Sequence, residues 1–414
     1  MQSNNFPIDE VRAQFPALNF KNKEQVFPIY FDGPGGTQMV QTCIDRMLEY
    51  IETGMANLHG TFSTSQKTDL LLEEAKEAVG DLLNCSAREV AFGQNMTSLA
   101  FQVSNSLRPM LKEGDEILVT QLDHRANVDP WIRLARETGA TIKWLPVDKE
   151  KLVHDLVDLD TLLNEKTKVV AIGLSSNLTG TISDARKIFE KAKKVNAITI
   201  ADAVHAVPHF LVDFKELQSD ILFCSAYKFF GPHLGIAAIK EDLFEKLEIA
   251  KLKPAPNEIP YKLETGTQNH EGIAGLCGAI SFIESLGRGN SRRKKLGSGM
   301  KAIEAHEEEL MKDLQDFLKS IPEINLFRAG NDVEKTPTFA FKIKGIHSRE
   351  ATEFFAEKFN LCIGDGHFYA ATMAEVFPVM DTGGWIRIGF APYNTLEEIA
   401  IFKTALKELL LMKS

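Results

Sequence analysis

Lys228 closes the run Ile221-Leu222-Phe223-Cys224-Ser225-Ala226-Tyr227-Lys228-Phe229-Phe230, an almost wholly apolar stretch that meets the turn Gly231-Pro232. Desolvation disfavours an ammonium, so a lysine in this setting either loses its proton readily or gives its nitrogen a covalent partner. Such an amine suits an imine with an aldehyde cofactor. A lysine that merely snorkels past the strand end is the plain alternative. Upstream, Asp202 follows the short apolar run Ala197-Ile198-Thr199-Ile200-Ala201, where a carboxylate needs a partner. Pyridoxal 5'-phosphate (PLP) answers both needs, with an aldehyde for the amine and a ring nitrogen that a carboxylate keeps protonated. Residues at the ends of two successive strands can grip opposite parts of one cofactor in the crevice above a parallel sheet.

Three further segments carry candidate chemistry. Asn95-Met96-Thr97-Ser98 follows a short strand and opens a helix with apolar positions Leu99, Val103 and Leu107. The free N–H groups and positive dipole end of a helix start suit a phosphate, while an ordinary N-cap by Asn95 or Thr97 explains the same residues. His124 follows an apolar strand, where a loop histidine without a role is the simpler reading. Arg387 lies inside the alternating stretch Trp385-Ile386-Arg387-Ile388-Gly389-Phe390. A guanidinium there needs an anion, and its planar fork suits a carboxylate, either a substrate's or a structural partner's. No Gly-x-Gly-x-x-Gly occurs at the Asn95 turn, so a dinucleotide site has no support there.

The elements that must position these residues alternate. Strands are predicted at 89–93, 116–121, 141–147, 168–174, 197–201, 221–225 and 234–240, with helices such as 65–84, 97–110 and 183–194 between them. Strand–helix alternation implies a mainly parallel sheet covered on both faces. Only a short Gly-Pro turn separates the last two strands, which predicts an antiparallel pair. Residues 251–266, with Pro254, Pro256 and Pro260, read as a connector. Beyond it, helices at 271–286 and 292–321 lead into an α+β unit ending in a helix at 395–412.

Taken in order, these segments resemble the class V aminotransferases of PLP fold type I, in their cysteine desulfurase-like branch, from about Tyr30 to about Leu409. The resemblance implies an α/β fold with a seven-stranded, mainly parallel sheet in a large PLP-binding domain (20–260). A smaller α+β domain (261–414) joins the N-terminal segment (1–19), whose amphipathic stretch 8–18 packs on it. It also implies a homodimer with active sites at the interface, acting on a small amino-acid substrate. Asn95, Met96 and Thr97 then hold the phosphate with Ser225, and Tyr227 is a further candidate there. His124 stacks on the pyridine ring. Asn177, in Ser176-Asn177-Leu178-Thr179-Gly180, and His205 reach the phenolic oxygen. Asp202 takes the ring nitrogen and Lys228 the aldehyde. Thr267, in Glu264-Thr265-Gly266-Thr267-Gln268-Asn269, crosses to the partner's phosphate. Arg387 binds the substrate carboxylate, and His59 lies near the substrate.

Departures from that pattern bear on the reaction. His205 stands where desulfurases usually carry glutamine, and Tyr227 where a histidine usually precedes the lysine. In Gly364-Asp365-Gly366-His367-Phe368-Tyr369-Ala370, Tyr369 takes the place of the nucleophilic cysteine and Gly364 that of an arginine. Sulfur transfer needs a thiolate, and a phenol with a reference pKa of about 10 cannot carry a persulfide. Cys362, nearby, reads as a core residue. Tyr369 is instead a candidate acid or base opposite Lys228. The pattern is shared with isopenicillin-N-epimerase-like proteins and lyases, so transamination, epimerisation and β-elimination stay open. A desulfurase or selenocysteine lyase-like enzyme using another thiol, and a non-catalytic PLP-binding protein, are the alternatives.

Composition narrows the class further. The chain has 414 residues, 44% apolar, with a net charge of −10, which argues against a nucleic-acid partner. The basic run Arg292-Arg293-Lys294-Lys295 reads as a solvated helix face. No apolar run reaches membrane-spanning length, and Met1-Gln2-Ser3-Asn4-Asn5 lacks a signal pattern. The five scattered cysteines contain no Cys-x-x-Cys pair, so no disulfide framework or zinc site is indicated and the chain reads as cytoplasmic.

Overall fold

The structure, a computed structural model, describes residues 6–21 and 26–413; the N-terminal Met1–Asn5 lies outside them. The large sheet contains β1 (Val90–Gly93), β2 (Glu116–Thr120), β3 (Thr141–Leu145), β4 (Thr167–Gly173), β5 (Ile198–Asp202), β6 (Ile221–Ser225) and β7 (Gly235–Ile239). Their spatial order is β1-β7-β6-β5-β4-β2-β3. Strands β2 to β6 run parallel, and β7 is antiparallel to both of its neighbours. The turn after β6 is too short for a helical crossover, which is why the direction reverses there.

Successive residues of these strands feed opposite cores, as a period of two requires. Phe92, Leu118, Val170, Ile172, Leu222 and Ile236 face one cluster with the helices Ser63–Leu83, Ala185–Lys194 and His270–Ser285. Ala91, Ile117, Val119, Val169, Phe223 and Ala237 face the other, with the helices Met96–Leu107 and Asp129–Thr138. A sheet buried on both faces leaves its strand ends as the open surface for chemistry.

The second unit is an antiparallel sheet of β8 (Ile324–Phe327), β9 (Thr338–Ile343), β10 (Gly364–Gly366) and β11 (Trp385–Gly389), in the order β8-β9-β11-β10. The helices Ser348–Phe359 and Leu396–Lys413 share its core. The helix Arg292–Lys319 spans both cores, with Leu296, Met300 and Ile303 in the first and Leu310, Leu314 and Leu318 in the second. Ile29–Tyr30 pairs in parallel with Leu361–Cys362, and Asp32 bridges to Gly389. The segment that leads into the large unit is thereby stitched to the small one.

Several local expectations change. The strand expected at 141–147 stops at Leu145, and Val147–Asp148 starts a separate pairing with Val153–His154; Pro146 between them has no N–H for a ladder. The helix expected through Met110 ends as an α-helix at Leu107 and tightens into a 3-10 turn around Pro109. Phe15 does not sit on the smaller unit alone. It packs edge-on against Phe230 and Phe282 as well as Tyr393, at the junction of the two units. The basic run is not simply a solvated face. Arg293 donates to the carbonyls of Asp81, Leu82 and Val212, and Arg292 pairs with Asp81. The carbonyls of Asp81 and Leu82 are among those left over at the end of the helix Ser63–Leu83.

Candidate active site

The carboxyl ends of the central parallel strands, the start of the helix Met96–Leu107 and the loop after β10 enclose a cavity of about 1120 Å³. Of the residues selected from sequence, all but Thr267 and His59 line it. Thr267 is exposed just past the connector, before the helix His270–Ser285. His59, at φ +65, is held at the surface by Asp69, which accepts its backbone N–H at 3.1 Å and lies 3.3 Å from its ring. Neither contributes to this chain's own cavity.

Lys228 sits just past β6, 9% exposed, and its Nζ donates to the carbonyls of Pro34 and, at 2.9 Å, Gly35. Burial and the nearby Arg387 guanidinium pull its pKa down to about 7, against the opposing carboxylates of Asp32 and Asp202. The free amine that carbonyl addition needs is therefore well populated near neutrality. Asp202 ends β5 on the adjacent strand. Burial raises its carboxyl to about 6, in spite of the Val204 N–H at 2.9 Å and the charge of Lys228. Asp123, also buried in the cavity wall, is pushed up to about 7 by burial; it accepts from Asn127 and from the Gly173 N–H, each at 2.8 Å.

The phosphate end follows from helix geometry. Asn95 caps the helix, its Oδ1 accepting the Ser98 N–H at 2.8 Å, and the Met96 N–H donates to Ser225 Oγ at 3.3 Å. Asn95, Thr97 and Ser98 stay exposed into the cavity. This close approach needs Gly235, where a Cβ would fall 2.3 Å from the backbone carbon of Asn95. Tyr227 lies against the same cavity, its ring stacked on His233 at 4.9 Å.

Arg387, on β11 and 4% exposed, is clamped on three sides. It donates to Asp32 Oδ1 at 2.9 Å and to the Asn177 carbonyl at 3.0 Å, while the Phe368 ring lies 3.9 Å from the guanidinium carbon. Asp32 of the same chain thus compensates one arm of the guanidinium, while Nε has no partner among the described residues. Asp32 escaped the sequence reading, and the signal available was the glycine-rich run Phe31-Asp32-Gly33-Pro34-Gly35-Gly36 after a short strand. Phe368 and Tyr369 both have positive φ (51° and 58°), a strained pair for non-glycine residues. Asn177 Nδ2 donates to the Phe368 carbonyl at 2.8 Å and the Arg125 N–H to that of Tyr369 at 2.9 Å, holding the loop over the cavity. Tyr369 is 66% exposed, its ring 5.3 Å from that of His124.

Burial, then the charges of Lys228 and Arg387, lower the His124 pKa to about 4, so its ring is neutral at pH 7. A neutral imidazole can stack on a cationic ring without charge repulsion. His205 is held well below its ordinary range, first by burial and then by His209, Lys228 and Arg387. Its Nε2 lies 2.9 Å from Thr338 Oγ1 and 3.1 Å from Thr336 Oγ1.

PLP fits these residues. Several buried polar atoms of the cavity wall lack a hydrogen-bond partner among the described residues: His205 Nδ1, Asn177 Oδ1, Ser175 Oγ and Arg387 Nε. Buried polar groups are normally satisfied, so a ligand rich in donors and acceptors is called for. Asp202, costly to ionise alone, calls for a cation, and the helix start calls for an anion. Fold and site together define a PLP-dependent enzyme of the large-and-small-domain type. The chain belongs to the aminotransferase class-V family, whose profile matches residues 29–402. It is 29% identical to an aminotransferase-like protein of Gibberella zeae, over 99% of this chain and all of that one. It is 28% identical to a cysteine desulfurase of Pectobacterium carotovorum, over 95% of this chain and 96% of the other. The structure superposes on the apo cysteine desulfurase of Thermococcus onnurineus with a TM-score of 0.87 at 26% identity, covering 97% of both chains. Among the described residues no helix is long and apolar enough to cross a membrane.

Proposed function

We propose that this chain is a homodimeric, cytoplasmic PLP enzyme acting at Cα of an amino acid, by transamination, epimerisation or β-elimination, without forming a protein persulfide. The observation that carries the reading is the pairing of a buried Lys228, its pKa drawn down to about 7, with a cavity lined by Tyr369 and, among the described residues, by no cysteine. Bound PLP supplies an electron sink for charge developing at Cα. Lys228 Nζ, at the carboxyl end of β6, serves as the base that moves the Cα proton. Asp202 holds a proton at the ring nitrogen, and Arg387 orients the substrate carboxylate. Tyr369, on the loop across the cavity, is placed to exchange a proton on the other face.

Thiol chemistry finds little support. Cys362 lies outside the cavity, and burial, then the Asp32 carboxylate, raise its pKa and disfavour the thiolate. Dimerisation is supported by the exposed apolar side chains Leu48, Ile51, Met55, Phe62 and Leu70 around the turn that carries His59. In a dimer, His59 and Thr267 would serve the partner subunit's cavity. All five cysteines are unpaired, which fits a reducing compartment. The test is a panel of amino acids in deuterated water, read by Cα-proton exchange and product identity, with persulfide labelling after incubation with cysteine. Exchange without a persulfide supports the proposal; a labelled protein persulfide overturns it.

A further inference from the structure

We propose that Thr338 is a positioning residue: it pins the His205 imidazole by Nε2 and leaves Nδ1–H as the donor to the cofactor's phenolic oxygen. The inference rests on the PLP reading above and deepens it. His205 is 5% exposed, Thr336 2% and Thr338 fully buried, so no water competes for these contacts. Nδ1 is the ring nitrogen without a partner, on a residue that lines the cavity.

The phenolate side decides the tautomer, because a threonine hydroxyl can donate or accept whereas a phenolate only accepts. Thr336 Oγ1 donates to the Gly180 carbonyl at 3.3 Å. Thr338 Oγ1 then has the Nε2 lone pair, 2.9 Å away, as its acceptor. The ring stays neutral because burial, His209, Lys228 and Arg387 all oppose its protonation; His209 is itself bonded to the buried Glu307 at 2.9 Å. Its single proton then resides on Nδ1. The reverse tautomer would set two acceptors against each other once a phenolate lies at Nδ1. A glutamine amide always donates through nitrogen, whereas an imidazole donates only from the nitrogen that carries the proton. Histidine at this position therefore needs a neighbour that donates to Nε2 in the tautomer the phenolate requires, and Thr338 is that neighbour.

The two threonines lie at and just before the start of β9 in the second unit, whereas His205 follows β5 in the large one. Gly180 makes the crossing possible. At φ +73, its Cβ would lie 2.9 Å from the carbonyl oxygens of both Thr336 and Thr338. The Thr336 N–H also donates to the Gly180 carbonyl at 2.8 Å. The seating of the small unit thus sets the orientation of a ring in the cofactor cavity.

The test uses PLP-loaded protein and two readouts, the pH titration of bound-cofactor absorbance and the PLP dissociation constant. Thr338→Val removes the hydroxyl and keeps the shape. Loss of one hydrogen bond predicts an upward move of the titration midpoint by about 0.7 pH and about fivefold weaker PLP binding. Thr338→Ser should restore both values. In a His205→Gln background, Thr338→Val should change neither, since the threonine acts through the imidazole. Wild-type titration and affinity in PLP-loaded Thr338→Val, no rescue by serine, or an equal effect in the glutamine background would each overturn the inference. If Thr338→Val fails to fold, Thr338→Ala is compared with Thr338→Ser by the same readouts. Failure of the wild-type protein to take up PLP is a separate outcome that sinks the cofactor reading itself.

Discussion

Replacing Asp202 by asparagine should make the cofactor-free protein more stable and the loaded enzyme weaker. In the folded chain, burial raises this carboxyl to about 6, whereas an unfolded aspartate titrates near about 3.9. Between about pH 4 and 6 the folded state binds more protons, so stability falls as pH rises through that window. Above pH 6 the full cost of the buried charge is present, about 3 kcal/mol for a carboxyl displaced that far from its value in water. Asparagine keeps an oxygen for the Val204 N–H, now 2.9 Å from Oδ1, and carries no charge. Cofactor-free D202N is therefore expected to exceed the wild type by up to about 3 kcal/mol at pH 8, with the gap closing near pH 4. With PLP bound the sign reverses, because the carboxylate then faces a ring cation; breaking a buried pair costs about 3–5 kcal/mol. Urea unfolding of both cofactor-free proteins at pH 8 and 4.5, beside PLP titrations of each, measures both effects. Equal stability at pH 8, or an unchanged gap at pH 4.5, refutes the argument that desolvation governs this carboxyl.

Three other outcomes are expected. With its pKa drawn down to about 7 by burial and Arg387, Lys228 should capture PLP at a rate that rises through pH 7 and levels off, followed by stopped-flow absorbance. A rise centred near pH 10 would place the lysine in water instead, and borohydride should fix no cofactor on K228A. Arg387→Lys loses the planar fork, so KM for a reactive amino acid should rise by about 10- to 100-fold in steady-state assays, with kcat changed less. An unaltered KM would remove Arg387 from carboxylate binding. Tyr369→Phe should slow Cα-proton exchange in deuterated water by about 100-fold if the phenol transfers a proton; exchange at the wild-type rate removes that role.

Much of the site was legible because strand ends announce themselves. Lys228 and Asp202 each follow a largely apolar run, and in a sheet buried on both faces such runs end at the open edge. The antiparallel β7 was legible for a similar reason, since a turn that short admits no crossover helix. Partners distant in sequence were not. Asp32 meets Arg387 across 355 positions, and His205 meets Thr338 across 133. Neither aspartate nor threonine carries any local periodicity that marks such a meeting. Arg293 misled because a run of like charges looks solvated until another helix ends beside it.

The amino-acid order by itself determined which side chains reach the rim of the large sheet, because apolar periodicity and turn length dictate strand direction and ending. Only the tertiary structure decided their chemistry. The depressed amine of Lys228, the raised carboxyl of Asp202 and the ring nitrogen that His205 keeps free all arise from burial and from neighbours brought in by other elements. Electrostatic energies depend on dielectric and separation in space, and neither quantity is written along the chain.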